Sequence, residues 1–277
     1  MIHIVVDSTV DLDPAVVQAA GIRVVPIIIH FGQETMLDTA ISRDAFYRRL
    51  VEASEIPRTA APGVGMFEQV FRELVAQGDQ VLSISVAAQL SSTFAAAQQG
   101  ARLVENGDIR CVESGTTIAC YGEIALAAAR SAHAGASMDE LLALVETLKL
   151  KAVTFVGLDT LRYLEKGGRI GRMQAFLGTM LAVKPIMEVR AGEIHPVERV
   201  RTTQRVPGRL VELAKDRGAY QVLRVIYTTD RAAAGVLADQ LAQAGLMPRD
   251  QIDLVQAGPA LGTHVGPGAL GVAGLLQ

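Results

Sequence analysis

The stretch Ile2-His-Ile-Val-Val-Asp-Ser-Thr-Val-Asp11 decides the fold. Its first five residues form a short apolar run, which predicts a buried strand that ends at Asp7. The polar turn that follows leads to Asp13-Pro14, where proline at an early helical position predicts the start of a helix. A strand followed at once by a helix is the first half of a βαβ unit, so the chain opens as an α/β protein.

The same alternation continues to about residue 150. Further strands are predicted over 22–30, 80–86 and 109–113, with a loop over 57–65 and helices over 66–76, 92–105, 117–132 and 138–149. Strands that alternate with helices favour right-handed βαβ units on a mostly parallel sheet. We therefore expect an N-terminal α/β domain over residues 1–150.

Beyond residue 150 the pattern changes. A strand over 152–157 is followed by two strands, 184–190 and 193–200, which face each other across Ala191-Gly192 as an antiparallel hairpin. Helices near 204–217 and 231–244 flank strands near 220–228 and 251–256. The expected architecture is α/β with two domains, the second covering 151–277 around a mixed or antiparallel sheet.

Composition narrows the class of protein. The 277 residues are 50% hydrophobic with a mean hydropathy of +0.29, and aromatic residues make up only 4%, so valine, isoleucine, leucine and alanine must fill the core. A net charge of −3 argues against a general nucleic-acid binder. The N-terminus does not resemble a signal peptide and no apolar run is long enough to span a bilayer, so we expect a cytoplasmic protein.

Metal and cofactor sites are not indicated. Cys111 and Cys120 form no Cys-x-x-Cys pair, and no two histidines have the spacing of metal ligands. Gly266-Pro-Gly-Ala-Leu-Gly271 matches the dinucleotide-binding pattern letter by letter, but the chain ends before the βαβ unit that such a site requires. We expect no bound metal and no cofactor, and structural, unreactive thiols.

Hydroxyl groups collect where an α/β sheet binds its ligands, beyond the carboxyl ends of the strands. Ser8 and Thr9 follow the first strand, and Ser91 to Thr93 follow the strand that ends at Val86 and open a helix, where free N–H groups favour an anion. Thr59 lies in the loop over 57–65. Each serine or threonine is equally compatible with a helix N-cap or a turn.

His264 is the histidine best placed to serve a ligand. It lies in the glycine-rich stretch Leu261-Gly-Thr-His-Val-Gly-Pro-Gly-Ala269, where the backbone can come close to a bound molecule. A purely structural role in the loop remains open. A hydrolase triad of Ser91, His264 and Asp7 is conceivable although the G-x-S-x-G elbow is missing, so a serine esterase or thioesterase is the alternative function.

The segment from Arg162 to Arg205 is basic, with nine Lys or Arg against four Glu. Most such charges are simply solvated. Gly167-Gly168-Arg169 differs, because two glycines free the backbone and the guanidinium fork suits a phosphate or a carboxylate. Arg201, in the second hairpin strand or just beyond it, could join Arg169.

Six motifs in this order resemble the DegV family of bacterial fatty-acid-binding proteins, and together they span nearly the whole chain. Singly each is a weak signal, whereas the ordered set is specific. The six are Asp7-Ser-Thr-Val-Asp11, Arg58-Thr-Ala-Ala-Pro62, Leu90-Ser-Ser-Thr-Phe94, Leu164-Glu-Lys-Gly-Gly-Arg-Ile170, Val183-Lys-Pro-Ile186 and Thr263-His-Val-Gly-Pro-Gly268.

The resemblance implies a long-chain fatty acid held in an apolar pocket between the two domains. By motif, its carboxylate would be bound by Thr59, Ser91 and His264, with Ser92 beside them. Arg169 and Arg201 are implied where the head group meets a partner protein. That partner is a separate ATP-dependent fatty acid kinase, which makes an acyl phosphate for phospholipid synthesis, so the chain would be a carrier with only transient membrane contact.

Four positions depart from the family pattern. Alanine replaces a polar residue at Ala60 and Ala61, Ser92 replaces glycine, and Phe94 replaces tyrosine. These changes bear on which fatty acid is preferred. Candidate residues lining the tail of the pocket, equally compatible with core packing, are Phe176, Leu177, Met180 and Leu181.

Overall fold

The computed structural model describes residues 1–176 and 183–277 of the chain. Its strands are β1 (Ile2–Asp7), β2 (Arg23–Val25), β3 (Ile28–Phe31), β4 (Glu34–Leu37), β5 (Arg58–Ala60), β6 (Gln80–Ser85), β7 (Ile109–Glu113), β8 (Ala152–Gly157), β9 (Lys184–Arg190), β10 (Glu193–Val200), β11 (Tyr220–Tyr227), β12 (Asp253–Gln256) and β13 (Leu270–Leu276). Its helices are α1 (Pro14–Ala19), α2 (Arg43–Glu52), α3 (Val64–Val75), α4 (Thr93–Arg102), α5 (Ile118–His133), α6 (Met138–Lys151), α7 (Arg162–Lys166), α8 (Val206–Arg217), α9 (Arg231–Gln243) and α10 (Pro259–Val265).

The N-terminal part is built on a parallel sheet of four strands in the order β2-β1-β6-β7. The apolar run of β1 is buried at Ile4, Val5 and Val6, and helices α5 and α6 pack over one face of the sheet. Helices α3 and α4 cover the other face through Phe67, Phe71 and Ala97. Apolar burial on both faces is the reason that the strands lack a polar alternation.

The C-terminal part is built on a mixed sheet of six strands in the order β10-β9-β8-β13-β11-β12. The predicted hairpin of β9 and β10 is present and antiparallel, and the one parallel pair in this sheet is β11 with β12. Two domains, one with a parallel sheet and one with a mixed sheet, confirm the predicted fold class. The boundary at residue 150 stays a prediction.

The predicted strand over 22–30 is wrong as a single element. It divides into β2, which joins the parallel sheet, and β3, which joins a separate antiparallel sheet in the order β4-β3-β5. Pro26 lies at the break, where its missing N–H cannot join a ladder. The predicted loop over 57–65 contains β5, and β5 carries Thr59.

The C-terminal strand β13 was not predicted, although it lies at the centre of the second sheet between β8 and β11. A Cβ on Gly274 would lie 2.4 Å from the backbone oxygen of Val222, and one on Gly271 would lie 2.6 Å from that of Phe155. Glycine is therefore needed for close approach of the neighbouring backbone.

Both cysteines are free thiols in the described structure, and burial raises the pKa of Cys120 to about 11 and that of Cys111 to about 12. Within residues 1–176 and 183–277 no helix has the length and apolar character that a bilayer crossing requires.

Candidate ligand site

An apolar pocket lies between the two parts of the molecule, with about 680 Å³ of space not filled by protein atoms, part of it open to solvent. The lining residues come from both parts and are mostly aliphatic: Thr9, Ile27, Thr59, Ala60, Ala61, Val86, Leu90, Ser91, Thr117, Leu164, Arg169, Met187, Val189, Ile194, Ala260, Leu261, His264 and Val265.

Two residues that the sequence assigned to one site, Thr59 and His264, are in direct contact. The hydroxyl of Thr59 lies 2.8 Å from Nε2 of His264, although 205 positions separate them in the chain. Thr59 is supplied by β5 and His264 by the last turn of α10. The predicted glycine-rich loop is thus partly a helix: Pro259 opens α10 and Gly266, with φ of 73°, closes it.

The imidazole of His264 is held in a poorly solvated position. Burial, with a smaller contribution from the positive charge of Arg169, lowers the pKa of His264 to about 4. Its Nδ1 has no hydrogen-bond partner among the described residues and lies against Gly167, where a Cβ would come within 2.3 Å of it. Because its pKa is about 4, the ring is neutral at pH 7.

Ser91 lines the pocket, whereas Ser92 does not. The Ser91 hydroxyl lies 2.8 Å from that of Thr93 and accepts a hydrogen bond from the Thr93 N–H at the start of α4. Ser92 is exposed and lines an outer cleft that adjoins the pocket mouth. The structure brings Ser91 to the same cavity as the bonded pair Thr59 and His264, but no hydrogen bond of the described structure joins Ser91 to either of them.

Arg169 lines both the pocket and the outer cleft. Its guanidinium donates to two backbone oxygens, those of Leu90 at 3.1 Å and Gly167 at 2.7 Å, and it has no ion pair with a carboxylate of the described residues. Arg201 is exposed and lines neither cavity. The two arginines that the sequence grouped together thus have different surroundings.

Of the candidate tail residues of the sequence analysis, Phe176 alone lies within the described residues. Phe176 is half-buried and packs against the apolar cluster that contains Leu164 and Met173, but it does not line the pocket. Leu177, Met180 and Leu181 lie outside the described residues. Aliphatic walls come instead from β9, β10 and α10, through Met187, Ile194 and Leu261 among others.

The conceivable hydrolase triad is not assembled. Asp7 is fully buried and accepts hydrogen bonds from the N–H groups of Thr9 and Val86. In the described structure it makes no hydrogen bond with His264. His264 bonds to Thr59 rather than to Ser91. Since a serine nucleophile needs a base within hydrogen-bond reach, the esterase alternative lacks its central contact and is not supported.

Sequence reasoning placed Thr9 beyond the end of β1, where ligands bind, but missed one polar residue of the pocket wall, Thr117. Thr117 lies four positions after β7. The rule that ligands bind beyond the carboxyl ends of strands would have included it. In the part of the chain that the structure describes, no cluster of His, Cys, Asp or Glu could hold a metal ion.

Comparisons with known proteins agree with this geometry. The DegV family, described as an uncharacterised protein family, matches residues 1–276. A DegV domain-containing protein of Streptomyces coelicolor is 34% identical, with 98% of this chain and 97% of that protein covered.

Two solved structures have the same fold across their whole length. A DegV family protein from Thermus thermophilus, described by its fatty acid binding, has a TM-score of 0.92 and 27% identity, covering 100% of this chain and 99% of that one. DegV from Bacillus subtilis, described as a fatty acid binding protein, has a TM-score of 0.89, 27% identity and the same coverage. Six ordered motifs, two sheets around an apolar pocket and a match over residues 1–276 lead to one conclusion: this chain belongs to the DegV family.

Proposed function

We propose that this protein binds a long-chain fatty acid in the apolar pocket, with the carboxylate at the end formed by Thr59, Ser91, Arg169 and His264. The observation that carries this proposal is that the pocket has aliphatic walls and a polar end. At that end the bonded pair Thr59–His264 faces the same cavity as the guanidinium of Arg169, which has no acidic partner among the described residues. Related proteins described as fatty acid binding support the same ligand class.

The tail provides most of the affinity in this proposal. Burial of one methylene contributes about 0.8 kcal/mol, so about 15 methylenes contribute about 12 kcal/mol before entropy costs. A hydrogen bond to a charged group contributes about 1.5–3 kcal/mol net. The polar end therefore fixes the position and identity of the head group, while the aliphatic walls hold the chain.

Arg169 is the charge partner that we assign to the carboxylate. His264 is neutral at pH 7, because burial and Arg169 lower its pKa to about 4. A neutral imidazole can donate one hydrogen bond but cannot balance a negative charge, whereas a guanidinium is always charged. A bound carboxylate would raise the pKa of His264 again, since opposite charges favour each other.

The ligand test begins with protein purified from cells and denatured, followed by mass spectrometry of the extracted lipid. Delipidated protein is then titrated with stearic and oleic acid. Arg169→Gln should weaken binding of the acid, and Arg201→Gln is the matched control because Arg201 lines neither the pocket nor the outer cleft. Absence of both a co-purified lipid and uptake of either acid would sink the proposal.

We further propose that the chain is a carrier, not an enzyme, and presents the bound acid to a separate ATP-dependent kinase. The pocket and the outer cleft share Leu90, Ser91, Arg169 and Ile194, so the head-group end faces an accessible side of the molecule. In this role the protein needs no cofactor, works in the cytoplasm and meets a membrane only while its ligand is exchanged.

Arg201→Glu tests the kinase role. Arg201 is exposed and lines neither the pocket nor the outer cleft, so the change should slow acyl-phosphate formation by a reconstituted fatty acid kinase while the uptake of acid stays the same. Equal rates for the variant and the wild type would remove Arg201 from the kinase interface. Arg169→Glu cannot make this distinction, because it should also weaken uptake.

A further inference from the structure

The pocket has a second polar position, Thr117, which the head-group proposal does not use. Thr117 follows β7, lines the pocket and is 7% exposed, yet its hydroxyl has no hydrogen-bond partner among the described residues. Buried hydroxyl groups in folded proteins are nearly always paired, so each exception needs an explanation.

The other hydroxyls of the pocket wall are already paired. Thr9 donates to Asp7, Thr59 is bonded to His264, and Ser91 is bonded to Thr93. Among the described lining residues, Thr117 is the one hydroxyl that the protein leaves unpaired. Three other buried hydroxyls lack a partner in the described structure, but none of them lines the pocket: Ser83, Ser85 and Thr116.

The backbone around Thr117 favours an acceptor oxygen. Thr117 is the N-cap residue of α5, a helix of 16 residues, and its side chain makes no capping bond. The first N–H groups of a helix carry partial positive charge. Ile118 has φ of 51°, a strained conformation for a β-branched residue, and such strain is commonly retained at ligand-holding segments.

We propose that Thr117 forms a second polar subsite in the pocket, which hydrogen-bonds an oxygen on the acyl chain itself. The preferred ligand would then be a long-chain acid with a hydroxyl or keto group along its chain. A plain chain leaves the Thr117 hydroxyl buried and unpaired, whereas an oxygenated chain pairs that hydroxyl and its own oxygen in one contact. This inference rests on the proposed fatty-acid binding.

The experiment measures the affinity of delipidated protein for stearic acid and for hydroxystearic acids with the hydroxyl at successive positions. Two variants accompany the wild type: Thr117→Val, which keeps the shape but removes the hydroxyl, and Thr117→Ser, which keeps the hydroxyl. Methyl-branched acids with the same branch positions control for bulk. Thermal unfolding checks that each variant is folded.

We expect one positional isomer to bind about 2- to 12-fold more tightly to the wild type than to Thr117→Val, as one neutral hydrogen bond allows. Thr117→Ser should keep the preference, and Thr117→Val should bind plain stearic acid more tightly because valine buries no unpaired hydroxyl. Retention of the isomer preference by Thr117→Val, or the same preference for a methyl branch, would overturn the inference. Failure of every acid to bind would overturn the proposed function as well, so the two failures are distinguishable.

Discussion

The segment of residues 7–11 contributes to two different regions. One is the head-group end of the pocket, and the other is a buried cluster of three acids, Asp7, Asp11 and Asp38. Thr9 of this segment lines the pocket, while Ser8 and Asp11 line a second, open cavity together with Asp38. The first region offers donors and the Arg169 charge, whereas the second offers carboxylate oxygens. Both regions are buried, but the pocket offers a positive charge and the second cavity offers carboxylates. For this reason we place an anionic ligand in the pocket and not in the second cavity.

The three acids of this cluster differ in how their carboxylate oxygens are hydrogen-bonded. Asp7 accepts hydrogen bonds from the N–H groups of Thr9 and Val86 and from the Thr9 hydroxyl. It therefore joins the ends of β1 and β6. Asp11 and Asp38 each keep one buried carboxylate oxygen without a partner. Asp7 is therefore a structural link, and the other two are groups whose charge the fold tolerates poorly.

Removal of the Asp7 carboxylate should have the largest effect. Asp7→Ala leaves the N–H groups of Thr9 and Val86 buried without acceptors, and we expect the free energy of unfolding to fall by about 3–5 kcal/mol. Urea unfolding measures the loss. Asp13→Ala is the control: this exposed residue caps α1 through the Ala15 N–H, and its loss should cost about 1 kcal/mol. Equal losses would mean that Asp7 is not the link between the strands.

Asp11 should make stability depend on pH. Burial raises the pKa of Asp11 to about 7, with Arg43 opposing the shift, and burial raises that of Asp38 to about 6. The folded state therefore binds protons more tightly than the unfolded state, whose Asp pKa is near 3.8. This contribution is fully present below pH 3.8 and is lost as pH rises through 6 to 7.

Asp11→Asn removes that titration while one side-chain oxygen can still accept from the Gly258 N–H. The variant should gain stability relative to the wild type as pH rises from 5 to 8, by about 3 kcal/mol at most. Urea unfolding at three pH values provides the test. A variant whose stability keeps the wild-type pH dependence would show that Asp11 does not hold the proton.

The sequence predicted both sheets because buried strands and amphipathic helices have local patterns. It could not predict β13, whose glycines are chosen for contact with Phe155 and Val222 rather than for local conformation. The division of the 22–30 segment likewise depends on Pro26 and on pairing partners distant in sequence. Long-range pairing overrides local preference in each of these elements.

The polar residues of the site were predictable as a group because family motifs name them, but their surroundings were not. The expected partners Thr59 and His264 are in contact. The depressed pKa of His264 and the difference between Arg169 and Arg201 arise from burial and from a charge brought near by folding. Neither property can be read from a linear motif.

His264→Ala tests whether the head-group end of the pocket distinguishes a carboxylate from an uncharged hydroxyl group. Loss of a bond to a carboxylate should weaken binding of the acid about 10- to 150-fold, whereas loss of a bond to the matching fatty alcohol should cost about 2- to 12-fold. Competition against a fluorescent fatty acid measures both ligands. Equal losses would indicate that His264 supports the wall of the pocket and does not contact the head group.

Gly167→Ala tests the position of the His264 ring and should have the smallest effect on affinity. Its φ is ordinary, so backbone strain is not at issue, but its Cβ would come within 2.3 Å of Nδ1 of His264 and must displace the ring from Thr59. We expect affinity for the acid to fall by about tenfold or less, since one contact is misplaced rather than removed. Gly65→Ala, in α3 with open space around it, should leave affinity unchanged and raise stability by about 0.5–1 kcal/mol. If Gly167→Ala binds like Gly65→Ala, the position of the His264 ring does not limit binding, and the polar end of the pocket tolerates more movement than the contact between Thr59 and His264 implies.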